Sequence, residues 1–330
     1  MNYVFFLFSH RICVLALFSA ICIFSTQVSA QPAPYPNKPV KIVVPFAPGG
    51  GSDFIARLLS QRLTEKLGQP VIIDNKPGAG GNVGAELALR APADGYTLLL
   101  AAASYTVNPS VYKVSFDSIR DMTPIAQLAR GPFIIAVNPK LPVSNLRELV
   151  EYAKKEPSKL TYASAGNGSI THLVTEYFLD MAGVDIVHAA YKGTSPALTD
   201  TISGNTQLVF GTVASTLPFV KSGQLKALAV STPKRLAVLP DVPTVVESGY
   251  PSYSVTNWHG LVAPKGLPRD IQMKLNKAIN ESLTASGMES GLASDGLSAA
   301  AGTPEEFGIL LASEVTRWGA LVKKRSIRAE

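Results

Sequence analysis

An α/β protein in two parts is what this chain predicts, and three observations predict it. Of 330 residues, 46% are hydrophobic and only 16% charged, with 26 Gly and 24 Pro, a balance that excludes a disordered, collagen-like or coiled-coil chain. Short apolar, β-branched runs alternate with amphipathic stretches of helical period, the cadence of α/β winding. The cadence restarts after Arg130 and Gly131, and the length suits two domains better than one.

The run Val40 to Phe46 reads as a strand buried on both faces. A helix follows with Ile55, Leu58, Leu59 and Leu63 on one side and Arg57, Gln61 and Glu65 on the other. Strands near Val71 to Ile73 and Thr97 to Ala101 flank a short helix, Asn82 to Leu89. In the second block Phe133 to Val137 is a strand, and Ser144 opens a charged helix through Lys155. Three more pairs follow: Leu160 to Ser164 with a helix around Leu173 and Phe178, Ile186 to His188 with Ala197 to Ile202, and Leu208 to Phe210 with Leu217 to Val220. Leu225 to Ser231 and Val255 to Val262 read as extended. Ile271, Leu275 and Ile279 mark a helix, and Thr303, Pro304 and Glu306 form a capping box for the last one. No internal repeat of fixed period is visible.

Ahead of this pattern, Val4 to Leu7 and Cys13 to Phe24 are apolar apart from His10 and Arg11, and Val28, Ser29 and Ala30 are small residues suited to a cleavage site. Residues 1–30 are therefore expected to be a secretory signal peptide cut after Ala30; the run after Arg11 is shorter than the roughly 20 residues of a membrane span. Both cysteines fall inside it, so the exported chain has no thiol, disulfide or cysteine metal ligand. The net charge of +6 is scattered except at Lys323, Lys324 and Arg325. Nucleic-acid binding, which needs clustered charge, is not expected, whereas small anions are favoured over cations.

Four loops suggest a site. Pro48-Gly49-Gly50-Gly51-Ser52-Asp53 lies between a strand and a helix, where free N–H groups and glycines suit an anion; it matches neither a dinucleotide fingerprint nor a P-loop, and the plain alternative is a turn closing a βα unit. Asp53 reads as a cap or hydrogen-bond acceptor. Ser164-Ala165-Gly166-Asn167-Gly168-Ser169, followed by Thr171 and His172, repeats the arrangement. Ser164 is a weak nucleophile candidate because Tyr162 stands where an elbow needs Gly. Tyr191-Lys192-Gly193-Thr194-Ser195-Pro196 is a third loop, and Ser104 to Asn108 a fourth, offering hydroxyl and amide contacts. His188 and His259 lie on apolar strands without metal-ligand spacing. Backbone amides and hydroxyls at Gly50 to Ser52 and Gly166 to Ser169 are expected to hold the anion, with Lys192 as the competing point charge.

The segments Tyr35-Pro-Asn-Lys-Pro-Val, Val44-Pro-Phe-Ala-Pro-Gly-Gly-Gly-Ser-Asp, Asn75-Lys-Pro-Gly-Ala-Gly-Gly, Asp94-Gly-Tyr-Thr-Leu, Tyr162-Ala-Ser-Ala-Gly, Gly168-Ser-Ile-Thr-His-Leu, Tyr191-Lys-Gly-Thr-Ser-Pro-Ala, Leu239-Pro-Asp-Val-Pro-Thr and Arg317-Trp318 together resemble the Bug family, the extracytoplasmic solute-binding receptors of tripartite tricarboxylate transporters. The resemblance implies a two-lobed, type II-like periplasmic-binding-protein fold, each lobe a mainly parallel sheet flanked by helices. Residues 31–131 plus 254–330 would form the first lobe and 132–253 the second. It implies a periplasmic, monomeric, non-catalytic receptor that closes around a small organic carboxylate and hands it to integral membrane permease subunits, with no cofactor, metal or nucleic acid. The expected ligand-contacting residues are Phe46, Gly49, Gly50, Gly51, Ser52, Asp53, Ser104, Ser164, Ala165, Gly166, Gly168, Ser169, Thr171, Tyr191, Thr194 and Thr212. Where many relatives carry Asp, this chain has Gly211 and Thr212, which speaks against an amino group on the ligand. The rival readings are a secreted hydrolase using Ser164 or Ser169 with His172, and a ligand-loaded partner of a membrane sensor kinase.

Overall fold

The computed structural model describes residues 34–157 and 159–328; the expected signal peptide lies outside them. Val40–Val44 (β1) leads through a glycine loop into Gly51–Leu67 (α1), then Val71–Asn75 (β2), Asn82–Leu89 (α2), Thr97–Ala102 (β3) and Ser104–Val111 (α3). Met122–Gly131 (β4) and Phe133–Val137 (β5) carry the chain into the second block, which continues with Leu146–Lys155 (α4), Thr161–Ser164 (β6), Ile170–Ala182 (α5), Val187–Ala190 (β7), Thr194–Ser203 (α6), Leu208–Thr212 (β8), Val213–Lys221 (α7) and Lys226–Val230 (β9). Asn257–Pro264 (β10) returns to the first block, followed by Arg269–Leu283 (α8), Met288–Ser294 (α9), Ser298–Ala299 (β11) and Pro304–Lys324 (α10).

Two expectations need correcting. Ser104 to Asn108 is not a loop but the start of α3, which buries Tyr105, Thr106, Val107 and Asn108. Its hydroxyl and amide residues looked like loop chemistry, but Thr106 Oγ1 donates to Ala103 O and Tyr105 OH to Ser118 O, so burial overrides weak helix propensity. Strand β4 was not foreseen, because Pro124, Gln127 and Arg130 interrupt its apolar run.

The strands form two sheets, ordered β11-β4-β10-β3-β1-β2 and β7-β6-β8-β5-β9. Parallel βα units occupy one side of each: β1 pairs with β2 and β3, and β6 with β7 and β8. The strands at the passages between blocks run antiparallel, β10 against β3 and β4, and β5 against β8 and β9. The sheets are thus mixed rather than mainly parallel, since a strand arriving from the other lobe enters against the βα direction. Both sheets repeat one order of second, first and third βα strand, then the arriving strand.

Each sheet is wrapped by its own core. Val43, Leu99, Trp258 and Val262 pack with Phe307 and Leu311 in the first lobe, and Phe133, Tyr162, Phe178 and Phe210 with Tyr253 in the second. Helix α10 serves both. Its capping box at Thr303 and Glu306 starts it over β4, whereas Trp318, Leu321 and Val322 at its other end join the second-lobe core. There Arg325 Nε donates to the buried Glu176 carboxylate at 2.7 Å, and Tyr162 OH donates to its other oxygen at 2.6 Å.

Candidate functional site

The carboxyl end of β1 and the start of α1 build the first wall. Asp53 is buried in the first helical turn. Its Oδ2 accepts from Gly49 N at 2.9 Å and Arg57 Nε at 2.8 Å, and its Oδ1 accepts from Asn75 Nδ2 at 3.0 Å. The Arg57 guanidinium, with the Gly49 and Asn75 donors, holds its pKa at about 2 against the pull of burial. Asp53 is therefore saturated and fixes the loop. The N-cap is Gly50, which has no side chain to cap the helix, and the amides of Gly50, Gly51, Ser52 and Asp53 have no acceptor among the described residues. Four unpaired N–H groups at a helix N-terminus are an anion site in waiting.

The second loop behaves differently from its sequence reading. Ala165 N donates to Thr171 Oγ1, Gly166 N to Ser164 Oγ, Gly168 N to His172 Nδ1 and Ser169 N to Gly166 O. Ser169 Oγ caps α5 by accepting from His172 N. These amides are spent inside the loop, so the expectation that Gly166 to Ser169 hold an anion through theirs gives way to a wall whose donors point inward. The third loop braces it, with Gly193 N donating to Ala165 O and Tyr191 N to Ser164 O; Tyr191 OH donates to Asp200 Oδ2 at 2.6 Å. Behind the loop Ser164 Oγ lies 2.6 Å from His188 Nε2. His188 stacks on His172 at 3.9 Å and on Tyr162 at 4.8 Å. Burial keeps His188 below its usual pKa and His172 at about 3, so both rings are neutral at pH 7. Ser164 is 0% exposed and lines neither cavity.

Between the two walls lie two adjoining cavities of about 480 Å³ and 520 Å³ that share Ser52, Asn257 and His259. The first is closed by Phe46, Ser104, Asn108 and Tyr112 on one side and Ala165 to Ile170 on the other. The second is lined by Gly49 to Gly51, by Thr212, Ala214 and Ser215, and by Asp295 and Leu297. Among the described lining residues Asp295 alone is charged, and none is basic. Ser52 Oγ, Ser104 Oγ and the Asn257 amide make no protein hydrogen bond among the described residues, which leaves them for a ligand. His259 is 5% exposed, its Nδ1 is buried without a partner, and burial lowers its pKa to about 4. A buried N–H without an acceptor costs more than an unfilled lone pair, so the proton belongs on Nε2, which makes no hydrogen bond among the described residues and is the donor this ring offers the shared wall.

Of the residues foreseen, Phe46, Gly49 to Ser52, Ser104, Ala165, Gly166, Gly168, Ser169 and Thr212 line the cavities. Asp53, Ser164, Thr171, Tyr191 and Thr194 do not, and the first four hold loops in shape. Sequence reading missed Asn257, His259 and Asp295. One signal was there: Asn257 and His259 alternate with Trp258, so in a strand both leave the face that buries the indole.

A profile of the tripartite tricarboxylate transporter family receptor matches residues 55–327. The chain is 35% identical over 318 residues to BugT of Bordetella pertussis, covering 94% of this chain and 96% of that one. It is similar to the solved structure of an R. palustris protein with adipate, at 33% identity and a TM-score of 0.78, covering 90% and 100% of the two chains. It is also similar to MatC of Rhodopseudomonas palustris with bound malate, at 31% identity and a TM-score of 0.73, covering 87% and 100%.

Proposed function

Because this chain belongs to the tripartite tricarboxylate transporter receptor family, we propose that its cleft captures a small organic carboxylate by lobe closure and that the loaded protein delivers it to the membrane permease of such a transporter. The observation that carries this is the uncapped start of α1: the N–H groups of Gly50 to Asp53 lack acceptors beside cavities lined by hydroxyls and amides. Such donors hold an anion without the desolvation cost of a buried cation. Adipate and malate in related structures support a carboxylate as the ligand class. Ser52, Ser104, Asn257 and His259 make the side-chain contacts, and the protein works in the periplasm as a monomer after cleavage behind Ala30.

The receptor is not an enzyme on this reading. The Ser164–His188 pair has the spacing of a nucleophile and its base, but it sits behind the loop and accepts the Gly166 amide. Among the described residues that line the cavities, no nucleophile lies beside a base.

A thermal-shift screen of organic acids with the purified protein tests the proposal. A ligand at 100 times its Kd stabilises the native state by about 2.7 kcal/mol, so carboxylates that raise the melting temperature are the expected hits. Hits confined to sugars or metal ions overturn it.

A further inference from the structure

We infer that Asp295 sets the specificity of the cleft, accepting a hydrogen bond from a hydroxyl or ammonium group that the bound carboxylate also carries. The inference rests on the carboxylate reading and deepens it. Asp295 follows α9 and lines the second cavity together with Thr212 and Ser215. Its Oδ2 approaches to 3.9 Å of the point where a Cβ on Gly51 would stand, yet no N–H of α1 bonds to it and it makes no ion pair or hydrogen bond among the described residues. Burial raises its pKa without any compensating donor.

A half-buried carboxylate with nothing to accept from is a cost that a ligand donor removes, whereas a second carboxylate on the ligand adds repulsion there. Ser52, Asn257 and His259 line both cavities beside the free amides of α1, the place for the ligand's carboxylate, and Asp295, next to Gly51 in the second cavity, is within reach of a donor carried close to that carboxylate. The other cavity is uncharged, lined by Phe46, Ala102 and Ile170 together with Ser104, Asn108 and Asn167, and takes the rest of the ligand. Gly211 and Thr212 are neutral, but the cavity that Thr212 lines does not lack an acidic residue. Asp295 brings a carboxylate to the same cavity from the far end of the chain.

The test is calorimetric titration of the full chain with matched pairs: butyrate against its hydroxy and amino derivatives, succinate against malate and aspartate, and benzoate against its hydroxy and amino derivatives. At least one substituted acid should bind about tenfold or more tightly than its unsubstituted parent, because a site built to meet a polar group rejects the analogue lacking it. Asp295→Leu, similar in size but without an acceptor, should bring that ratio to about one; its melting temperature reports folding. Asp295→Asn separates the two donors, since its amide oxygen still accepts from a hydroxyl but no longer neutralises an ammonium. Parents that bind as tightly as their derivatives, or a preference that survives Asp295→Leu, overturn the inference while leaving the carboxylate receptor intact. Failure of every acid to bind overturns both.

Discussion

Arg57 Nε donates to Asp53 Oδ2 across 2.8 Å, one helical turn apart on α1, and the carboxylate so held accepts the Gly49 amide from the loop ahead of the helix. The pair therefore acts on the site from below. A solvent-exposed cation that lines neither cavity fixes the acid that fixes the glycine loop, and the loop leaves its own amides free.

Replacing Asp53 by Asn keeps the shape but removes the charge that Arg57 and Gly49 converge on. Losing charged hydrogen bonds of this kind costs about 1–3 kcal/mol, so Asp53→Asn should melt lower and bind ligand more weakly. The folded pKa of about 2 lies below the ordinary carboxylate value, so this stability is present above pH 5 and is lost as pH falls toward 2. Denaturation curves of the two proteins at pH 7 and pH 2.5 check it: the gap should be wide at the first and narrow at the second.

Two glycines let the lobes meet. A Cβ on Gly168 would collide with Val111 of α3, and one on Gly296 with Val213 of α7; both glycines have φ of +67°. Gly168→Ala should hold the lobes apart and weaken binding by about tenfold, the scale of 1.4 kcal/mol. Val111→Ala in the same chain should recover part of it, since it relieves the collision but not the backbone strain. Small-angle scattering gives the independent reading: ligand should reduce the radius of gyration of the wild type more than that of Gly168→Ala.

How much of this was legible beforehand follows from distance along the chain. The first loop could be read because its parts, Gly49 to Asp53 with β1 and α1, are contiguous, and so could the cap at Thr303 and Glu306. The second loop was recognised as a feature but not as a closed hydrogen-bond circuit, because whether Gly166 N turns to Ser164 Oγ or to a ligand depends on dihedral angles that composition does not fix. Asn257, His259 and Asp295 reach the cleft only through antiparallel pairing of β10 and the placing of α9 against α1, and no local pattern announces either. The shared strand order of the two sheets was invisible for the same reason: pairing repeats without the residues repeating.

Buried neutral histidines should make the protein acid-labile well above the carboxylate range. His172 and His259 are held to about 3 and about 4, whereas in the unfolded chain they take up protons near pH 6.5. Between these limits the unfolded state binds more protons, so stability falls as pH drops, by about 1.4 kcal/mol per pH unit for each ring. His172→Asn, whose amide oxygen can accept from Gly168 N as Nδ1 does now, should flatten the slope between pH 6 and 4. An unchanged slope would show that His172 is not neutral in the native state.

Arg325 ties the end of α10 to Glu176 and also reaches Asp185 at 2.8 Å. Removing one partner of such a pair leaves Glu176, 6% exposed, with the Tyr162 hydroxyl alone. Arg325→Met should therefore destabilise the protein by roughly 3 kcal/mol, with Arg325→Lys recovering part. Hydrogen exchange locates the effect: amides of α5 should open in Arg325→Met, while those of α1 and β1 keep their protection.

The last expectation concerns what holds the anion. Lys192 is exposed and lines neither cavity, and Ser169 Oγ is committed to capping α5, whereas Ser52 Oγ stands unpartnered where the cavities meet, on the helix turn whose amides are free. A point charge in water is screened, but a hydroxyl and amides facing an enclosed anion contribute about 1.5–3 kcal/mol per charge-assisted bond. Ser52→Ala should therefore weaken binding by about tenfold or more, against little change for Lys192→Met. Gly50→Val, which retains the loop's negative φ, should weaken it further by filling the second cavity beside the amides. Salt gives the second reading: affinity should change little as ionic strength rises, and a steep loss, or a tenfold loss confined to Lys192→Met, would mean that the anion is held by the lysine.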